Sequence, residues 1–364
     1  MTEIPWIDWD HAAKTGVALV PPGPIATRAE IMAAVAELRR DAHRAPELIA
    51  AASLLDVRGE SSEFVIDRAG LIRANVATAR AILEPTGVRV AEPGALGAAR
   101  GRITGTAIGA VMALLATRIL GQYDPFTDGP RLLLAVPNVM AVERELKVDP
   151  ADFRMWVCLH EQTHRVQFGH APWLVDYMTE QVREVLCAEA DHDPMLAGLS
   201  DRLNAWRRQE SDQGEDGIDR ATSLRLLTAV SSPLVVAAID RVTALMSLLE
   251  GHADVMMDRA GPEVIPSLAR IRLLFNQRRQ RGGVAGFVAK LIGLDAKVAQ
   301  YADGARFCTT VIEQAGVQGL NVAFTSAEHL PTLTELHHPH DWLARHGLSD
   351  QPQPDTEQEE QGED

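Results

Sequence analysis

A mainly helical fold with one small β-sheet, an α+β arrangement, is predicted for this 364-residue chain by three observations. Hydrophobic residues make up 46% of it but aromatics only 5%. Ala, Leu and Val dominate the long segments, a bias toward straight-chain helix formers over the β-branched and aromatic residues of sheets. Several long segments carry apolar residues at helical spacing between cap and breaker residues. One short apolar run, Arg131 to Val136, lies between Pro130 and Pro137 and reads as a strand.

The elements follow in order. Residues 1–24 form an N-terminal extension, and a single large domain covers 25–348. Thr27 stands three residues before Glu30, a capping box that starts a helix through about Ser53. Glu60 to Leu83 reads as a second amphipathic helix, closed by the breakers Glu84-Pro85-Thr86-Gly87. The stretch Ile103 to Leu120 has the look of a membrane span. It is short for one, and Arg102 and Arg118 bound it, so a buried helix is expected, with Gly101, Gly105 and Gly109 on a face that admits a close neighbour. The prolines beside Leu132 to Val136 suit an edge strand, open to an added peptide strand. Gln209 to Asp219 is polar and acidic and marks an exposed loop or internal boundary. From Ser349 on there are seven Asp/Glu and no Lys/Arg, the composition of a disordered acidic tail.

Charge and cysteine usage exclude several classes of function. The net charge of -15 repels phosphate backbones, and no basic stripe reverses it locally, so nucleic acid is not an expected partner. Three cysteines, Cys158, Cys187 and Cys308, form neither a CxxC pair nor an even set. That argues against a disulfide framework or a thiolate metal site. The N-terminus lacks the basic start and apolar run of a signal peptide, and a cytoplasmic protein without a membrane anchor is expected.

The chemistry-bearing segment begins at Asp149-Pro150, an N-cap followed by a proline suited to the first helical position, and ends before Gly169 and Pro172. On that helix Phe153, Trp156, Val157, His160 and His164 share one apolar stripe. Buried imidazoles there are either satisfied core histidines or ligands. Histidines four apart on one face can both reach a Zn²⁺, with the intervening Glu161 addressing a water as general base. A catalytic zinc site needs a third protein ligand. Ser232-Pro233 starts a long apolar helix, running to about Asp258, on which Glu250 and Asp254 fall on one face. Buried carboxylates are costly unless they pair or bind metal. Glu250 is therefore assigned as third ligand, and Asp254 as an acceptor that orients one zinc histidine.

His160-Glu161-Gln162-Thr163-His164, followed 86 residues after His164 by Glu250 and then Asp254, resembles the gluzincin metallopeptidases, in which a Glu of a downstream ExxxD helix completes an HExxH site. More closely, Leu120 to Phe126, Leu132 to Arg144, Trp156 to Phe168 and Gln280 to Gly283 resemble the actinobacterial-type zincin-like hydrolases. That family is sometimes labelled as associated with deazaflavin (coenzyme F420) biosynthesis. The resemblance covers residues 25 to 345 and implies a zincin-like metallopeptidase fold, but it carries no substrate.

Other residues have two readings each. His252 lies about 200° round the helix from Glu250, so it packs or supports a ligand more readily than it shares the metal. His329, His337, His338 and His340 could bring a proton donor over the site, or be surface histidines. Tyr123 is a substrate contact or a turn anchor, Cys158 a core residue. Arg278, Arg279 and Arg281 are a solvated helix end or a site for an anionic substrate. The expected function is a zinc-dependent hydrolase, a metallopeptidase acting on a peptide or protein. The competing classes are a helical scaffold or binding protein with a structural metal, and a zinc amidase acting on a small molecule.

Overall fold

The computed structural model describes residues 3–4, 6–83, 89–90, 94–190, 233–280 and 301–349. The Gln209 to Asp219 segment, Gly282 and Gly283, and the tail from residue 350 on lie outside them.

The fold is mostly helical with a small sheet, as expected. The sheet orders β2 (Ser62–Ile66), β5 (Arg131–Ala135) and β4 (Gly121–Asp124), with β2 parallel and β4 antiparallel to β5. A separate two-residue pairing joins β1 (Glu3–Ile4) to β3 (Arg89–Val90). Two expectations are corrected here. The run from Arg131 forms the middle strand instead of an edge, because Pro130 precedes it and Pro137 belongs to the first turn of α5 (Val136–Leu146), so neither removes a ladder donor. Glu60 to Leu83 is not one helix. Ser62 to Ile66 pairs with β5, and helix α3 begins only at Arg68 and runs to Leu83. The period-2 pattern of β5 sorts its side chains between two cores. Leu132 and Leu134 join the larger, Leu133 and Ala135 the smaller around Leu71 and Ile72 of α3.

The larger core is built on α6 (Pro150–His170), which is buried on nearly all sides. Asp149 caps it by accepting from the amides of Ala151 and Asp152, as its position before Pro150 predicts. Helix α2 (Arg28–Ser53), started by the Thr27–Glu30 capping box, lays Ala34, Leu38, Ala42, Ala45 and Ile49 against α6. Arg154 of α6 pairs with Glu143 of α5 and Glu37 of α2, which satisfies a buried guanidinium between three helices. On the far side of α6 runs α8 (Pro233–Ala260), preceded in chain order by α7 (Trp173–Ala190). Helices α9 (Leu268–Gln280), α10 (Tyr301–Asn321), α11 (Leu333–His337) and α12 (Pro339–Arg345) follow, with α10 packed closely on α8.

The glycine face of α4 (Ala95–Leu115) does what its spacing predicts. Gly105 and Gly109 lie against the backbone of Asp8 and Ala12, at and within α1 (Trp9–Leu19), and Gly101 lies under Trp6. Among the described residues no helix is long and apolar enough to cross a membrane.

Candidate metal centre

The site forms where α6 meets α8. A helix rises 1.5 Å and turns 100° per residue, so His160 and His164 stand one turn apart on the same side. Their Nε2 atoms are 3.3 Å apart. Glu250 reaches them from α8, with Oε1 3.5 Å from His164 Nε2 and Oε2 3.6 Å from His160 Nε2. Among the described residues, these three form a group of potential metal ligands with all donor atoms within 4.8 Å of one another.

The triangle tests whether a zinc ion fits. Zinc–nitrogen and zinc–oxygen bonds of about 2.0–2.2 Å at tetrahedral angles separate neighbouring donors by about 3.3–3.5 Å. The 3.3 Å between the two imidazole nitrogens falls in that range and the two contacts to Glu250, which end on its two different oxygens, lie near it, while optimal hydrogen bonds would draw such atoms to about 2.7–3.0 Å. The donor set of two imidazoles and one carboxylate suits zinc. All three side chains keep partial exposure, 21%, 13% and 28%, so the group lies at an accessible margin of the core.

Glu161 lies beside this triangle and is almost fully buried. Burial, with the nearby charge of Glu250, pushes its carboxyl up to about 8 against the pull of His164. Burial opposes charge on His164, yet the hydrogen bond and charge of Glu250, with Glu161 and Gln167, outweigh it and carry the imidazole up to about 9. A cluster that attracts a proton this strongly offers a cation the same field.

Strand β4 passes directly over Glu161. A Cβ placed on Gly121 would lie 2.5 Å from Glu161 Cγ and 2.9 Å from its Oε1. Only glycine lets the strand run so near. Tyr123 is half-buried two residues on, its ring 5.9 Å from that of Phe168, and burial raises its phenol.

Asp254 stands one turn beyond Glu250 on α8, half-buried and near Cys308 of α10, whose thiol is raised by burial and further by the Asp254 charge. His252 is fully buried on another face of α8, with its pKa lowered to about 3 by burial and by His164. It reaches the site through Gln167, a buried residue that the sequence reading passed over. Gln167 bonds His164 Nδ1, His252 Nδ1 and the Leu249 carbonyl, each at 2.9 Å. Its spacing of three from His164 was the available signal, since that places it on the same helical face. Three of the four C-terminal histidines have side-chain partners of their own. His329 bonds Thr325 and Ser326, His337 pairs with Asp303, and His340 bonds Gln314. Arg278 pairs with Glu145, and Cys158 is buried in the core.

Two helices crossing to present a His–Glu–x–x–His segment to a distant carboxylate, beside a sheet whose edge strand overlies the glutamate, define a protein of the zincin class. The chain belongs to the zincin-like metallopeptidase family, whose model matches residues 7–343. It is similar to a solved structure from Chloroflexus aurantiacus described as "a putative hydrolase with a novel fold". That likeness has 27% sequence identity and a TM-score of 0.67, and covers 94% of this chain and 100% of the other. No curated protein matches the chain.

Proposed function

We propose that this protein is a zinc-dependent metallopeptidase whose ligands are His160, His164 and Glu250 and whose proton carrier is Glu161. One observation carries the reading: side chains from two separate helices bring two imidazole nitrogens 3.3 Å apart and set the two Glu250 oxygens 3.5 and 3.6 Å from them. Zn²⁺ held there supplies Lewis acidity, polarising a carbonyl and acidifying a water.

The chain's own residues do the rest. Glu161 takes the proton of the attacking water on a carboxylate oxygen and returns it to the departing amine nitrogen. Strand β4 is an edge of the three-stranded sheet and lies against Glu161, so an extended peptide that pairs with β4 would bring its carbonyl to the site. This favours peptide bonds over other amides, and it moves the expected docking edge from β5 to β4. Tyr123, on the same strand, is the side chain placed to touch such a peptide. Asp254 and His252 support the ligand helices from behind.

The test is Glu161→Gln. This variant should retain stoichiometric zinc by elemental analysis while cleavage of a peptide library falls at least 10³-fold, on the order of what a positioned acid–base group contributes. Undiminished turnover would remove Glu161 from the mechanism.

A further inference from the structure

Resting on the metal-centre reading, we infer that Gln167 is a positioning residue that fixes the protonation pattern and direction of the His164 ring by tying it to the backbone next to Glu250. The Leu249 carbonyl can only accept a hydrogen bond. Gln167 Nε2 lies 2.9 Å from that oxygen, so the amide must turn its NH₂ toward α8. Its second N–H then points at His252 Nδ1, also 2.9 Å away, and that nitrogen must accept. His252 is fully buried, so this contact is closed to water.

With the NH₂ committed to α8, Gln167 Oε1 faces His164 Nδ1 at 2.9 Å. An amide oxygen only accepts, so His164 must carry a proton on Nδ1. The neutral ring then has its lone pair on Nε2, the atom facing His160 and Glu250. Each assignment forces the next. Because Leu249 immediately precedes Glu250, one side chain sets the ring of one proposed ligand against the helix that bears another. Gln167 is itself fully buried, so water does not compete for these bonds. The cost falls on His252, whose Nε2 has no hydrogen-bond partner among the described residues. A buried N–H left unpaired is retained where the opposite nitrogen is needed as an acceptor.

The experiment compares the parent with Gln167→Met, which keeps length without hydrogen bonds, and Gln167→Glu, which keeps an acceptor for His164. The first readout is the downfield imidazole N–H signal of ¹⁵N-labelled protein, assigned to His164 by its absence in His164→Gln. The second is the zinc dissociation constant by competition with a chromophoric chelator. The parent should show a slowly exchanging Nδ1–H signal with and without zinc. Gln167→Met should lose that signal and bind zinc 10- to 100-fold more weakly, the range typical for loss of such a partner. Gln167→Glu should keep the signal but, having lost the donors to Leu249 and His252, bind zinc more weakly than the parent. A Gln167→Met protein that keeps both the signal and the parent's affinity overturns the inference. Should that variant fail to fold, loss of the signal in Gln167→Glu does the same. A parent that shows the signal yet takes up no zinc would sink the metallopeptidase reading instead.

Discussion

Glu161 and His164 bind protons more tightly in the folded, metal-free protein than in the unfolded chain, Glu161 near 8 against a usual 4.5 and His164 near 9 against 6.5. Both shifts are upward, so the stability they contribute is present at low pH and is lost as pH rises, for His164 between 6.5 and 9. The melting temperature of the metal-free protein should therefore fall across that interval, while zinc affinity rises as the competing proton leaves His164. A metal-free melting temperature that climbs from pH 6.5 to 9 would contradict the proton assignment. Gly121 answers to sterics instead. Gly121→Ala puts a methyl 2.5 Å from Glu161 Cγ, so either the carboxylate or β4 must shift. Overpacking of this kind costs about 1–3 kcal/mol, and a displaced general base should cut kcat by about 100-fold with zinc content unchanged. The ligand residues were legible because histidines four apart and a carboxylate on an apolar helix conflict with burial unless something binds them. Gln167 and Gly121 were not. A glutamine within a helix and a glycine at a strand's start carry no conflict until the neighbouring chain is in place.

Among elements, those with end signals could be read nearly to the residue. Helix α6 was expected from Pro150 to Phe168 and runs to His170, and α2 starts at its capping box. Strand β2 was missed because the short Ser62–Ile66 run is separated from α3 by Asp67 alone, too little to break the apolar pattern. Its strand character comes from pairing with β5, nearly seventy residues away in sequence. The middle position of β5 was hidden likewise, since prolines just outside a strand look the same in sequence whether or not its two edges are covered. The meeting of α8 and α10 is another contact set by distant residues. A Cβ on Gly251 would collide with the backbone of Gly304, and one on Gly304 with the Ser247 carbonyl. Gly251 adjoins Glu250, so the spacing of these helices sets where the carboxylate stands. Gly304→Ala, remote from both histidines in sequence, should weaken zinc binding by 10-fold or more in a chelator competition. On α4, Gly109→Val should cost about 1–3 kcal/mol in denaturant unfolding by pushing α1 away, yet leave zinc affinity unchanged. The pair separates glycines that position the site from one that only packs.

For the molecule as a whole, the proposed metal is a clamp between two parts of the chain that meet late in sequence. Helix α6, packed on α2 and the sheet, supplies the histidines and Glu161, while α8, with α10 against it, supplies Glu250. The apolar core already spans both, from Ala34 and Leu38 through Phe153 and Leu159 to Leu248, Met256 and Phe307. Hydrophobic burial of that extent stabilises the assembly without metal. The repulsion of a buried, partly protonated Glu161 beside Glu250 acts against it. Zinc should then act by mass action on a folded protein instead of creating the fold, adding about 2.7 kcal/mol at a free concentration 100 times its dissociation constant. Dialysis against a chelator should accordingly leave helical circular dichroism intact, lower the melting temperature by several degrees, and be reversed by stoichiometric zinc. Glu250→Gln should abolish the zinc-dependent part of that rise and lower the metal-free melting temperature near neutral pH, because it removes the carboxylate that pairs with His164. Loss of helical signal on chelation would instead mean that the two parts are held together by the ion and not by the core.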